Sequence, residues 1–127
     1  MKRTIKFRGK CAGTWRYGDH LTYASGEVIK AWMGSISPEY TVEPDTVGQF
    51  IGAFDKNGKE IYEGDIVVFV DELNPKKEKP YYVQYDNSCC KFRLYGKDGK
   101  KAKAVLACKY YKVIGNVIDN PELLKGE

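Results

Sequence analysis

The chain has 127 residues and a formal net charge of +4, with 43% apolar and 30% charged residues, which bounds it to one domain or a compact core with a short appended subdomain. No run of about 18 apolar residues occurs, so a transmembrane helix is excluded. An aromatic fraction of 13%, with ten tyrosines, 13 glycines and five prolines, favours strands broken by turns over helices of ordinary length.

The charge is unevenly placed. Residues 1 to 41 hold seven Lys/Arg against three Asp/Glu, residues 42 to 67 hold two against six, and residues 68 to 127 hold twelve against eight. An acidic centre between basic flanks neutralises them within a fold, or else leaves a basic surface for nucleic acid. The opening Met1-Lys2-Arg3-Thr4-Ile5-Lys6-Phe7-Arg8 is basic and alternating, with no apolar core of a secretory leader. A cytoplasmic setting is therefore expected, and Cys11, Cys89, Cys90 and Cys108 are expected as reduced thiols.

Taken in order, Thr4 to Arg8 alternates as a half-buried or edge strand that Gly9 ends, its cations guarding the edge. Trp15 to Tyr17 and Leu21 to Tyr23 follow, with Gly18-Asp19 as the turn between them. A further hairpin through Ser25-Gly26 returns along Val28, Ile29 and Trp32, completing a meander over residues 1–41. Prolines at 38 and 44 mark residues 35 to 46 as the subdomain boundary.

The central stretch is more specific. Val47 to Phe54 and Ile61 to Phe69 are apolar runs separated by Asp55-Lys56-Asn57-Gly58, residues that favour tight turns and tolerate positive φ. Gly64-Asp65 directs a second bend, and Gly48 and Gly52 suit bulges or close backbone approach at barrel corners. This run, together with Ile5 to Arg8, Tyr17-Gly18-Asp19, Val83 to Asn87, Val113 to Asn116 and Asn120 to Leu124, resembles YopX-like proteins, a family of small proteins of bacteriophages and prophages. Ala53-Phe54 departs from the leucine-containing pair expected there. The resemblance implies an SH3-like small β-barrel in a phage setting, and it brings no catalytic residues with it.

Downstream, the segment from 71 to 80 is a charged, proline-bounded loop. Tyr81 to Asp86 alternates as a strand, Asn87-Ser88 turns, and Cys90, Phe92 and Leu94 are expected on one face with Lys91, Arg93 and Tyr95 on the other. A basic loop from Gly96 to Lys103 leads to closing strands over 105–108 and 110–118, with Gly115 the expected bulge or barrel closure point. Asn120-Pro121-Glu122 reads as the start of a short C-terminal helical turn.

Four cysteines and one histidine invite a zinc site, but there is no Cys-x-x-Cys pair. Neither a metal nor any other cofactor is expected. Cys90 is expected as a core member beside Phe92 and Leu94. His20 next to Asp19 reads as a turn residue and not as a general base. Asp45, Asp55, Glu60, Glu63 and Asp65 could form an acidic catalytic pair, yet Asp55 and Asp65 fall where carboxylates bind turn N–H groups. The remaining chemistry is a basic and aromatic patch of Tyr82, Lys91, Arg93, Tyr95, Lys97, Lys100, Lys101 and Lys103, suited to phosphates and unpaired bases.

The expected architecture is mainly β: a meander over 1–41 against an SH3-like barrel over 42–127. Its expected core is Val47, Phe50, Ile61, Ile66, Val68, Val83, Phe92, Leu94, Val113, Ile114 and Val117. The expected function is a non-enzymatic phage accessory module that contacts an unknown protein partner or itself, without a membrane. Nucleic-acid binding through the region from Lys91 to Lys103 is the alternative, and an enzyme using the acidic hairpin is a third.

Overall fold

The computed structural model describes residues 4–24, 30–34, 40–70, 73, 79–100 and 108–125. Over these residues the chain is mainly β. Its strands are β1 (Phe7–Cys11), β2 (Thr14–Gly18), β3 (His20–Ala24), β4 (Lys30–Gly34), β5 (Tyr40–Val42), β6 (Gly48–Phe54), β7 (Glu60–Tyr62), β8 (Asp65–Phe69), β9 (Pro80–Asp86), β10 (Lys91–Tyr95) and β11 (Tyr111–Asn116). Short 3-10 turns occupy Pro44–Thr46, Cys108–Tyr110 and Pro121–Leu124. No helix among the described residues is long and apolar enough to cross a membrane.

The chain forms two compact units, Met1–Gly52 and Ala53–Glu127. The first unit runs on through Gly52, and backbone pairing explains why. Phe7 and Arg8 of β1 pair with Gln49 and Gly48 at the start of β6, and Phe50 donates its N–H to the Lys6 carbonyl at 2.8 Å. Residues 48 to 50 are thereby held in the first unit.

In the first unit, β1 and β2 form an antiparallel hairpin in which Cys11 pairs with Thr14. Ala12 and Gly13 turn the chain with φ of 49° and 82°, the double positive φ that suits the twist of a two-residue hairpin. Gly9 does not end the first strand; it pairs with Arg16 in mid-hairpin. Nor is this an edge strand, since β1 lies between β2 and β6. A separate sheet of β3, β4 and β5 is antiparallel throughout, whereas the hairpin expected at Ser25-Gly26 lies outside the described residues. Buried Val42 gathers Phe7, Cys11, Leu21 and Val47 into a small core. The turn after it is fastened to β1 by Thr46, whose hydroxyl accepts the Lys10 N–H at 2.8 Å and donates to the Glu43 carbonyl at 2.7 Å.

In the second unit, a four-stranded antiparallel sheet runs in the order β10-β9-β8-β11. Strand β8 is covered on both faces: Asp65, Ile66, Val67 and Val68 are all buried. Ile61, Tyr62, Val83, Leu94 and Tyr111 are buried in the same unit, while Phe92, Val113 and Val117 are half-buried. Two core expectations are overturned here. Ile114 is 36% exposed, because the β8–β11 register slips between Val113 and Gly115 and makes Ile114 the extra residue of a bulge. Cys90 is exposed, because it belongs to the turn over 87–90 and the next strand starts only at Lys91. Asp86 shapes that turn, its Oδ1 accepting the Ser88 N–H at 2.9 Å and the Ser88 hydroxyl at 2.6 Å.

Candidate functional site

Strand β10 faces β9 in a register that decides which side chains meet. Lys91 stands opposite Asp86, Arg93 opposite Gln84 and Tyr95 opposite Tyr82. Because side chains alternate along a strand, these pairs share one face. The Tyr82 and Tyr95 rings stack with centroids 5.5 Å apart and planes 22° from parallel. Next to them the Arg93 guanidinium lies 3.7 Å from Asp86, whose side chain is 6% exposed, and 3.9 Å from the Cys89 sulfur. The other face points inward at Val83 and Leu94, with Tyr85 and Phe92 edge-to-face at 5.2 Å.

Beyond Tyr95 the chain turns over 96–100. Gly96 donates to the Lys100 carbonyl at 3.0 Å and Gly99 donates to the Gly96 carbonyl at 2.9 Å. Asp98 accepts the Lys100 N–H at 3.0 Å. Lys97 and Lys100 are exposed in this turn, so the structure gathers Tyr82, Lys91, Arg93 and Tyr95 on one strand face and sets two further lysines at its end. Asp86 and Asp98 offset part of the charge. Lys101 and Lys103 lie outside the described residues.

The acidic hairpin has a different construction. Asp55 is buried; its Oδ1 accepts the N–H groups of Asn57 at 2.8 Å and Lys59 at 2.9 Å, and its Oδ2 accepts that of Val113 at 2.9 Å. Burial pushes its carboxyl up, but these bonds and the Lys59 charge outweigh burial and hold it below its ordinary value. Gly58 completes the turn with φ of 81°. Asp65, 1% exposed, accepts the Tyr62 N–H at 2.8 Å, across a bend in which Gly64 takes φ of 87°. Gly64 also donates to the Val83 carbonyl and accepts from the Val117 N–H, both at 2.8 Å. Glu60 receives the Tyr62 hydroxyl at 3.1 Å, and Asp45 sits in a 3-10 turn of the other unit.

Among the described residues no group of three or more His, Cys, Asp or Glu is arranged to hold a metal ion. His20 Nδ1 lies 3.5 Å from Asp19, with both side chains more than half exposed. Gly48 is buried at the start of β6, whereas Gly52 is exposed with φ of 87°.

Two aromatic groupings escape a reading by composition alone. On β1 and β2, Arg8 lies 4.8 Å from the Trp15 ring centroid, Lys10 lies 5.4 Å from the same ring and Lys6 lies 5.7 Å from that of Tyr17. The signal is the alternation Lys6, Arg8, Lys10, which pairing places beside Trp15 and Tyr17. At the end of β8, Phe69 lies 6.3 Å from Tyr110 and 5.6 Å edge-on to Tyr111. Lys109 stands 5.0 Å from the Tyr110 ring.

With this geometry in view, the chain matches the family model described as YopX protein over residues 6–125. It belongs to the YopX family. The match spans both units of this YopX-family chain, and it carries no reaction, ligand or partner with it. Among solved structures, the chain is similar to the crystal structure of protein EF1440 from Enterococcus faecalis, at 23% identity over 97% of this chain and 99% of that one, with a TM-score of 0.58. That likeness concerns the fold. Among curated proteins, nothing matches this YopX-family sequence.

Proposed function

We propose that this YopX-family chain is a non-enzymatic binding module of a phage or prophage, working in the cytoplasm through protein contacts, with its second unit an SH3-like barrel closed by a C-terminal helical turn. The observation that carries this reading is the aromatic corner at the end of β8, where Phe69 is 44% and Tyr110 49% exposed with their rings 6.3 Å apart. Adjacent exposed aromatics beside a buried one are the composition of interface anchors. The acidic hairpin supports a structural role, since Asp55 and Asp65 accept backbone N–H groups. The test is capture of partners from prophage-bearing cells, with nuclease-treated and untreated lysates compared, beside light scattering of the purified chain. Loss of the captured partner in Phe69→Ser and Tyr110→Ser supports the reading. A chain that stays monomeric and retrieves no protein overturns it.

A second reading is favoured by the Tyr82–Tyr95 stack bordered by Arg93 and Lys91. Cations take phosphates and an outer tyrosine face takes an unpaired base, so the ligand would be single-stranded nucleic acid. Binding that is absent even at low salt removes this alternative.

A further inference from the structure

We propose that the β9–β10 tip is a chelating dithiol, in which Cys89 and Cys90 together capture a trivalent arsenical. Both thiols are exposed in the structure and adjacent in sequence, on a turn tied down from below by Asp86 and Ser88. The contacts that hold them are long: Cys89 Sγ accepts from Arg93 at 3.9 Å and Cys90 Sγ donates to the Asn87 carbonyl at 3.9 Å. The Tyr85 hydroxyl ionises less readily than an ordinary tyrosine, through burial first and then through Cys90 and Cys89. Cys90 adopts φ of 54°, a left-handed conformation that is unfavourable for a residue bearing a Cβ.

The spacing selects the ligand. Adjacent Cα atoms are about 3.8 Å apart, shorter than the roughly 4.4–6.8 Å that an unstrained disulfide spans, so direct S–S closure here is strained. A centre inserted between the two sulfurs lengthens the bridge by one atom and removes the S–S torsional demand. Trivalent arsenic in an oxide R–As=O meets this need: two S–H bonds and the As=O bond break, two As–S bonds form, and the oxygen leaves with both protons as water. Arsenic stays trivalent and no oxidant is consumed. Closure draws Cys89 away from Arg93, which links the tip to the basic face of β10.

The test titrates the reduced full chain with phenylarsine oxide and reads intact mass under native conditions. One adduct per chain is expected, retained in Cys11→Ser and Cys108→Ser. Cys89→Ser and Cys90→Ser, each checked for unchanged circular dichroism, should bind roughly 100-fold or more weakly, the low end of the gain from joining two ligands. An adduct of undiminished affinity in either single variant overturns the proposal. So does a native chain that is unreactive while the unfolded chain reacts.

Discussion

The carboxylate of Asp55 accepts the backbone N–H of Val113 at 2.9 Å, across 58 residues of sequence. One residue on, Lys56 donates its N–H to the Tyr111 carbonyl at 2.8 Å. Strand β11 stands at the end of its sheet, and these two contacts fall on the side of it that β8 does not use. The turn over 55–58 thus takes the place of a neighbouring strand, which protects an edge that would otherwise invite pairing with another chain.

Removing that carboxylate should be costly. Asp55→Ala leaves the N–H groups of Asn57, Lys59 and Val113 without their acceptor, and a buried donor left unsatisfied costs about 1–3 kcal/mol. A net loss of about 3 kcal/mol is expected, with Asp55→Asn losing less because one carbonyl oxygen remains. Urea denaturation of the three proteins measures it. An alanine variant as stable as its parent would show that solvent replaces all three bonds.

The same group gives a pH dependence of known sign. The Asp55 carboxyl is held below its ordinary value of 3.8 in the folded chain, so the unfolded chain binds the proton first as pH falls. Its contribution is complete above the ordinary value, declines as pH drops from there through the folded value, and is gone below that. The stability gap between the parent and Asp55→Asn should therefore be flat near neutrality and shrink under acid. A gap that widens as pH falls contradicts the assignment.

How much of this was legible in the sequence depends on the range of the interaction. The Asp55 to Gly58 turn is local chemistry, a carboxylate bonding its own N–H groups two and four residues on, and Asn57-Gly58 announces it. The Val113 contact is not local, and no pattern near Asp55 points to it. Ile114 misleads because alternation assumes unbroken parity, and a single bulge residue reverses it. Cys90 misleads because Asp86 and Ser88 extend the turn into what reads as strand. The grouping of Arg8 with Trp15 is hidden until the turn at Ala12-Gly13 fixes the register.

The contrast between Ile61 and Ile114 turns that parity argument into a measurement. Ile61 is fully buried, at 0% exposure, and Ile114 is 36% exposed. Ile61→Ala should cost roughly 2–5 kcal/mol, the range for truncating a buried isoleucine. Ile114→Ala should change stability by about 0.5 kcal/mol or less, as at an ordinary surface position. Equal losses at the two sites, read by thermal or urea denaturation, would place Ile114 in the core and remove the bulge.

On the nucleic-acid reading proposed above, the basic face of β10 should have separable effects on single-stranded nucleic acid. Lys91→Ala and Lys100→Ala should each lower the slope of log affinity against log salt by roughly 0.7, the value for one phosphate contact on a single strand. Tyr95→Ala should leave the slope unchanged and cost roughly 1–3 kcal/mol of binding by removing a stacking surface. Fluorescence anisotropy over a salt series distinguishes the two. If all three variants shift affinity by one common factor at every salt concentration, the face does not divide its work between cations and rings.

Gly115 is required by what stands above it. It pairs with Ile66 across the sheet, and a Cβ at this position would meet Asn120 Oδ1 at 2.6 Å and Leu123 Cδ1 at 2.9 Å. Asn120 is already engaged, accepting the Asn116 N–H at 3.3 Å, so the added methyl must push the C-terminal turn away from β11. Gly115→Ala should cost about 1–3 kcal/mol, the usual penalty of overpacking, and should raise amide exchange over residues 116 to 124. Gly115→Ala combined with Asn120→Ala removes the nearest clash and should recover part of that stability, leaving the Leu123 contact as the remainder. A double variant no more stable than the sum of its two single losses would mean that the methyl is accommodated by the strand and not by the turn.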